Sequence, residues 1–189
     1  MRLRASTIAI AAIMIGLVTV VILSPARVPI PVTGGYLNLS DILIYFAGFS
    51  FGPWIGLVAG GIGAGLGDIL AGYAVFAPIT LVAHGLQGLL AGLLGHNRRL
   101  PGMIVAWVLG TLAMVAGYYL GETIFMQMGL LPSESEAAIT LIKSPALAEV
   151  PLNLLQNVLG LVGIPLVYLV RKAYPPIAEM GKPQRWREE

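Results

Sequence analysis

The stretch "EVPLNLLQN" places Glu149, Asn153, Gln156 and Asn157 at i, i+4, i+7 and i+8, one face of a helix otherwise made of apolar residues. An amide in a hydrocarbon surrounding must find partners. These four side chains therefore either tie helices together or offer paired donors and acceptors to a polar heterocyclic ligand. Four acidic residues, Asp41, Asp68, Glu122 and Glu149, lie in or beside apolar runs. A charge there is costly and faces a cavity or a partner. Asp41 could alternatively cap a helix, and Glu149 could be an interfacial cap. His84 and Gln87 lie inside another apolar run. A lone histidine in that setting is more often bonded to a neighbouring helix than to a metal, and the chain has two histidines and no cysteines. Tyr36, Tyr73, Tyr118 and Tyr119 fall near one set of run ends, as an interfacial belt or as stacking surfaces. HExxH and nucleotide-binding motifs do not occur. The expectation is a non-enzymatic chain without cofactor or metal, unable to power transport by itself.

The elements that must position these residues follow from composition. Of 189 residues, 57% are hydrophobic and 11% charged, with a mean hydropathy of +0.86. A soluble domain carries about 25% charged residues, so lipid is the main solvent here. Six transmembrane helices are predicted, over about 5–23, 38–51, 54–71, 76–94, 103–126 and 147–170. Arg2 and Arg4 followed by an apolar run resemble a signal peptide, but the run is at or beyond the usual length, and the expectation is an uncleaved first helix. Asn38 and Ser40 are expected to cap the second helix. "GP" at 52–53 reads as a turn into the third, and Ser133 with Glu136 as a capping box in a loop. A six-helix bundle over 1–172 would be followed by a cytoplasmic polar tail, 173–189. The pI near 9.0 does not point to nucleic acid. With the N-terminus inside, Arg2, Arg4, Arg98, Arg99, Arg171, Lys172, Lys182, Arg185 and Arg187 all face the cytoplasm, and only Arg27 and Lys143 lie outside. That is the positive-inside pattern, and it gives N-in/C-in topology. It also sets the four acidic residues in the outer halves of four helices.

The run "VAGGIGAGLGDILAGY" looks like a phosphate loop but fails the GxGxxG spacing at Leu66 and sits within a predicted span rather than after a strand. Its spacing is helical instead. Gly56 and Gly60, Gly61 and Gly65, and Gly63 and Gly67 are each four apart, and Gly85, Gly88, Gly92 and Gly95 repeat the device. Small faces of this kind let helix backbones approach closely in lipid. Ala5, Ala9, Ala12 and Gly16 form a similar stripe on the first helix, which either packs inside the bundle or docks a partner's helix.

The segment from "GGYLNLSD" through "GP", "GDILAGY" and "APITLVAHGLQGLLAG", together with "PLNLLQNVLGLVGIPL", resembles the substrate-binding S components of energy-coupling factor (ECF) vitamin transporters, in the riboflavin and hydroxymethylpyrimidine branch. The likeness covers roughly 1–172. It implies a bundle that captures a vitamin or vitamin precursor at the outer face of a prokaryotic plasma membrane. It also implies a transmembrane coupling protein and two ATPases as partners. The stripe Ala5, Ala9, Ala12 and Gly16 would dock that coupling protein, and the loop 27–36 would cover the ligand. On this reading the ligand-lining residues are Tyr36, Asn38, Asp41, Asp68, Tyr73, His84, Gln87, Tyr118, Glu122, Glu149, Asn153, Gln156 and Asn157. Two other classes fit the residues alone: a membrane assembly protein whose polar groups only join helices, and a small ion- or proton-coupled carrier.

Overall fold

In helix α1 (Ala5–Leu23), the bulky residues Met14, Val18 and Ile22 and the hydroxyl of Thr19 take the inner face. Ala5, Ala9, Ala12 and Gly16 are left exposed on the outside, and nothing lies within 4 Å of the position a Gly16 side chain would take. The small-residue stripe therefore does not pack within this bundle. The computed structural model describes residues 5–30, 33–131 and 144–177. Arg2, Arg4, Lys143, the Ser133–Glu136 capping box and the charged tail with Lys182, Arg185 and Arg187 lie outside the described residues.

The segment after α1 departs from the expected irregular loop. Strands β1 (Val28–Ile30) and β2 (Gly35–Leu37) pair antiparallel, with Pro29 opposite Tyr36 and Ile30 opposite Gly35. The hairpin leads into α2 (Ser40–Phe51). Leu39, not Ser40, occupies the cap position of α2. Asn38 supplies the side chain, its Oδ1 accepting the Ser40 N–H at 2.7 Å. At 12 residues α2 rises about 18 Å, short of the roughly 30 Å hydrocarbon core. Among the described residues, five other helical runs are long and apolar enough to cross a membrane: Ala5–Leu23, Pro53–Leu70, Ala77–Gly95, Leu100–Gln127 and Pro145–Ala173.

Gly52 adopts φ 91°, a conformation open to glycine, and Pro53 begins the next helix at its first position. That helix is not uniform. α3 (Pro53–Val58) passes through a π-helical turn (Ala59–Gly63) into α4 (Ala64–Leu70). The turn splits the glycine face in two. Side chains at Gly56 and Gly60 would collide with the Gly88 and His84 carbonyls of the helix Ala77–Gly95, whereas those at Gly63 and Gly67 would meet Ile15, Val18 and Ile22 of α1. The Thr19 hydroxyl donates to the Gly63 carbonyl at 2.8 Å. The glycines thus allow backbone contact on both sides, as expected for lipid-embedded packing.

α5 (Ala77–Gly95) and α6 (Leu100–Gln127) follow. The last span, expected as one helix, breaks into α7 (Pro145–Gly160) and α8 (Gly163–Ala173). Pro165 has no N–H to offer the carbonyl four residues back, and Gly160 and Gly163 lie against Tyr45 of α2. Polarity is inverted relative to a soluble protein: Asp41, Gln87, Glu122 and Asn157 are fully buried while Leu109, Leu112, Leu120 and Ile124 are exposed.

Candidate functional site

Several helices deliver one polar group per turn to the same place. α5 contributes Thr80 and His84 four residues apart, α6 contributes Tyr118 and Glu122 at the same spacing, and α7 contributes Glu149, Asn153 and Gln156. Asp68 comes from the end of α4, and the hairpin adds Gly35, Tyr36 and Asn38. With Ile22, Ala64 and Phe76 these residues line a single pocket. A water centre can occupy about 20 Å³ of it, about one water's worth. The hairpin lies across it, closely enough that a side chain on Gly35 would sit 3.1 Å from Glu149 Oε1.

Much of the lining is already hydrogen-bonded. Gln156 Oε1 accepts the Asn38 backbone N–H at 2.9 Å, and its Nε2 donates to Asp41 Oδ2 at 3.2 Å. His84 Nε2 lies 3.2 Å from Asp41 Oδ1, and His84 Nδ1 is 3.2 Å from the Tyr118 hydroxyl. That hydroxyl also pairs with Thr80 Oγ1 at 2.7 Å. His84 is thus bonded to two neighbouring helices. Asp41 does not cap α2. It anchors α2 to α5 and α7, just behind the pocket wall. Tyr36 donates its hydroxyl to Asp68, packs its ring at a tilt with its centroid 4.5 Å from that of Tyr73, and carries Arg27 over its face at 5.7 Å. Burial, with the adjacent Asp68 carboxylate, pushes the Tyr36 phenol well above its usual range.

Not every expected ligand residue reaches the pocket. Asp41 and Tyr73 stand behind it, as supports for His84 and Tyr36. Gln87 and Asn157 lie one layer deeper. There Asn157 Oδ1 accepts from Gln87 Nε2 at 2.7 Å, Tyr45 at 3.1 Å and Thr111 at 3.1 Å, and the Asn157 carbonyl accepts from Trp107 Nε1 at 2.9 Å. This cluster joins α2, α5, α6 and α7 and leaves Gln87 Oε1 unpaired. Thr80 was not among the expected residues. It shares a helical face with His84 and Gln87 at i, i+4 and i+7, and that spacing is the signal that could have found it. Tyr119 is partly exposed on the outside, in keeping with a belt position.

The pocket's acidic residues retain unpaired oxygens. Among the described residues, both carboxyl oxygens of Glu122, Oε1 of Glu149 and Oδ2 of Asp68 are buried without a hydrogen-bond partner. Glu122 on α6 and Glu149 on α7 both line the pocket. Among the described residues, no lysine or arginine lines it. Open acceptors in a mostly polar lining suit a ligand that brings donors or positive charge.

Residues 2–173 match the family described as ECF-type riboflavin transporter, S component. A Pyrococcus woesei protein, described as an uncharacterized protein in the gap 3′ region, is 35% identical over 155 residues, covering 81% of this chain and 94% of its own length. The thiamine precursor transporter HmpT of Lactococcus lactis is 38% identical over 93 residues, 49% of this chain and 52% of its own. A UPF0397 protein of Streptococcus pneumoniae is 32% identical over 98 residues, 52% of this chain and 53% of its own. The chain thus aligns with nearly all of the archaeal protein and with about half of the other two.

Proposed function

Because the chain belongs to the family of ECF-type riboflavin transporter S components, multi-pass proteins of the prokaryotic plasma membrane, we propose that it captures a vitamin precursor of the hydroxymethylpyrimidine type at the outer face. The observation that carries this reading is the set of unpaired carboxyl oxygens in a small buried pocket that no cation among the described residues lines. An aminopyrimidine presents N–H donors and a basic ring nitrogen, which match such acceptors. Riboflavin is larger and presents carbonyl oxygens along its ring edge, which do not. The partial likeness to a thiamine precursor transporter supports the same choice. Access requires the hairpin, which contributes Gly35, Tyr36 and Asn38 to the lining, to swing outward.

Uptake against a gradient needs an energy source that this chain does not encode. The reading assigns it to a transmembrane coupling protein with two ATPases, docked on the exposed stripe Ala5, Ala9, Ala12 and Gly16. N-in/C-in orientation places the stripe's first turns at the cytoplasmic side. The test is reconstitution with a coupling module in liposomes. Accumulation of radiolabelled hydroxymethylpyrimidine that requires ATP supports the assignment. Proton-driven, ATP-independent accumulation would replace it with a carrier. Absence of both binding and uptake would leave an assembly protein whose polar groups only join helices.

A further inference from the structure

We propose that Thr80 is a specificity-determining residue of the pocket, and that the number of protons on the His84–Asp41 pair, relayed by Tyr118, sets whether Thr80 meets a ligand as an acceptor or as a donor. This rests on the reading above that the pocket takes the transported ligand.

The relay runs from behind the pocket wall to its lining. His84 Nε2 faces Asp41 Oδ1 at 3.2 Å, and the other Asp41 oxygen accepts from Gln156 Nε2 at 3.2 Å. His84 Nδ1 lies 3.2 Å from the Tyr118 hydroxyl, which lies 2.7 Å from Thr80 Oγ1. Thr80, His84 and Tyr118 all line the pocket, and Thr80 and His84 are buried. Close helix packing holds these distances. A Cβ on Gly117 would sit 2.9 Å from that of Ala83, and one on Gly121 would sit 2.7 Å from Ile79. α5 and α6 therefore touch above and below Tyr118, whose ring meets that of His84 edge to face at 5.4 Å.

Proton count fixes the directions. A carboxylate has no proton to give, so a single proton on the pair sits on Nε2 and leaves Nδ1 a bare acceptor. Tyr118 then donates to Nδ1. Its oxygen and that of Thr80, 2.7 Å apart, need a proton between them, and Thr80 must supply it. Thr80 is then an acceptor toward the pocket. A second proton on the pair makes Nδ1 a donor. Nδ1 donates to Tyr118, Tyr118 donates to Thr80, and the Thr80 proton is released to the pocket. Histidine is the side chain that ordinarily takes up such a proton between about pH 5 and 8. The titratable and charged groups around His84 are Asp41 from α2, Asp68 from α4, Tyr118 and Glu122 from α6, Glu149 from α7, and Tyr36 from the hairpin with Arg27 on its face.

The experiment is equilibrium binding of hydroxymethylpyrimidine and of its 4-oxo analogue to the full chain in nanodiscs at about pH 8 and pH 5, for wild type, Thr80→Val, Tyr118→Phe and the double variant. Titration of the ligand and of the carboxyl groups is common to each pair of proteins and cancels in the factor by which Thr80→Val weakens binding. For the amino ring, whose N–H groups donate, that factor is expected to be about tenfold at the higher pH and near one at the lower. For the oxo ring, whose carbonyl accepts, the order reverses. In the Tyr118→Phe protein the factor should not change with pH. Factors equal at both pH values with Tyr118 in place, both rings binding, overturn the relay and leave the pyrimidine reading intact. Should Tyr118→Phe fail to fold, the Thr80→Val comparison decides. Nitrogen NMR of the ligand-free chain with labelled histidine, assigned with His84→Gln or His96→Gln, is expected to show His84 at the higher pH with its proton on Nε2 and a bare, hydrogen-bonded Nδ1. A proton on Nδ1 there overturns the relay whatever ligand binds. Binding of neither ring by wild type overturns the pyrimidine reading, and the nitrogen spectrum then decides the relay alone.

Discussion

Removing the Gln156 side chain as Gln156→Ala separates holding the fold from holding a ligand. Its Oε1 is the partner of the buried Asn38 N–H at 2.9 Å, and its Nε2 donates to Asp41 Oδ2 at 3.2 Å. Alanine leaves a buried donor and a buried carboxylate oxygen short of one bond each, at about 1–3 kcal/mol per group. Asp41 keeps His84, so the sum is about 2–4 kcal/mol. For a chain of this size each kcal/mol moves the midpoint by about 2–4 °C, which gives a fall of roughly 5–15 °C. Asn153, one turn earlier, lines the same pocket, but its side chain does not tie the hairpin to the bundle. Asn153→Ala should shift the midpoint by a few degrees at most while weakening ligand binding roughly tenfold, the loss of one polar contact. Thermal unfolding in one detergent, followed by intrinsic fluorescence, and a binding isotherm on each variant read both effects. A Gln156→Ala protein as stable as wild type would refute the assignment of that amide to the hairpin. Unchanged affinity in Asn153→Ala would remove it from the binding face.

Gly63→Leu should lower thermal stability by about 1–3 kcal/mol or more, because even its Cβ would sit 3.0 Å from the Ile15 carbonyl and from Val18; a stable, ligand-binding variant would contradict the α1 packing. Tyr36→Phe removes a charge-assisted bond from the hairpin to Asp68 and should speed ligand release about tenfold or more in a chase experiment, whereas an unaltered release rate would show that the contact does not hold the pocket shut. Ala5→Trp and Ala9→Trp, both on the exposed side of α1, should leave ligand affinity unchanged and abolish co-purification of the coupling protein; normal complexes from both would end the docking assignment.

The long apolar helices and their glycine faces were legible because lipid leaves little choice. Backbone groups must bond internally, and small residues four apart mark close contacts. The convergence of Asp68, Glu122 and Glu149 was legible for the same reason, since charge in an apolar run must face inward. The hairpin was not. Its strands of three residues are too short to show an alternation, and Pro29 argues against a strand except at an edge. The π turn was hidden because helical glycine spacing reads the same with one extra residue. Neighbours on α7 differ by about 100° in direction. That is why Gln156 reaches the pocket wall and Asn157 the deeper cluster, and a shared face in the sequence could not separate them. The stripe on α1 was legible as a stripe but not as inward or outward. Met14, Val18, Thr19 and Ile22, which fill the opposite face, decide that.

Equilibrium dialysis of the purified wild-type chain against labelled hydroxymethylpyrimidine, with unlabelled riboflavin as competitor, addresses the central claim with fewest intermediates. A pocket with this acidic lining, opened by the hairpin, predicts saturable binding of one pyrimidine per chain, undisturbed by riboflavin at equal concentration. Displacement of the pyrimidine by riboflavin, or saturable binding of riboflavin alone, would contradict it.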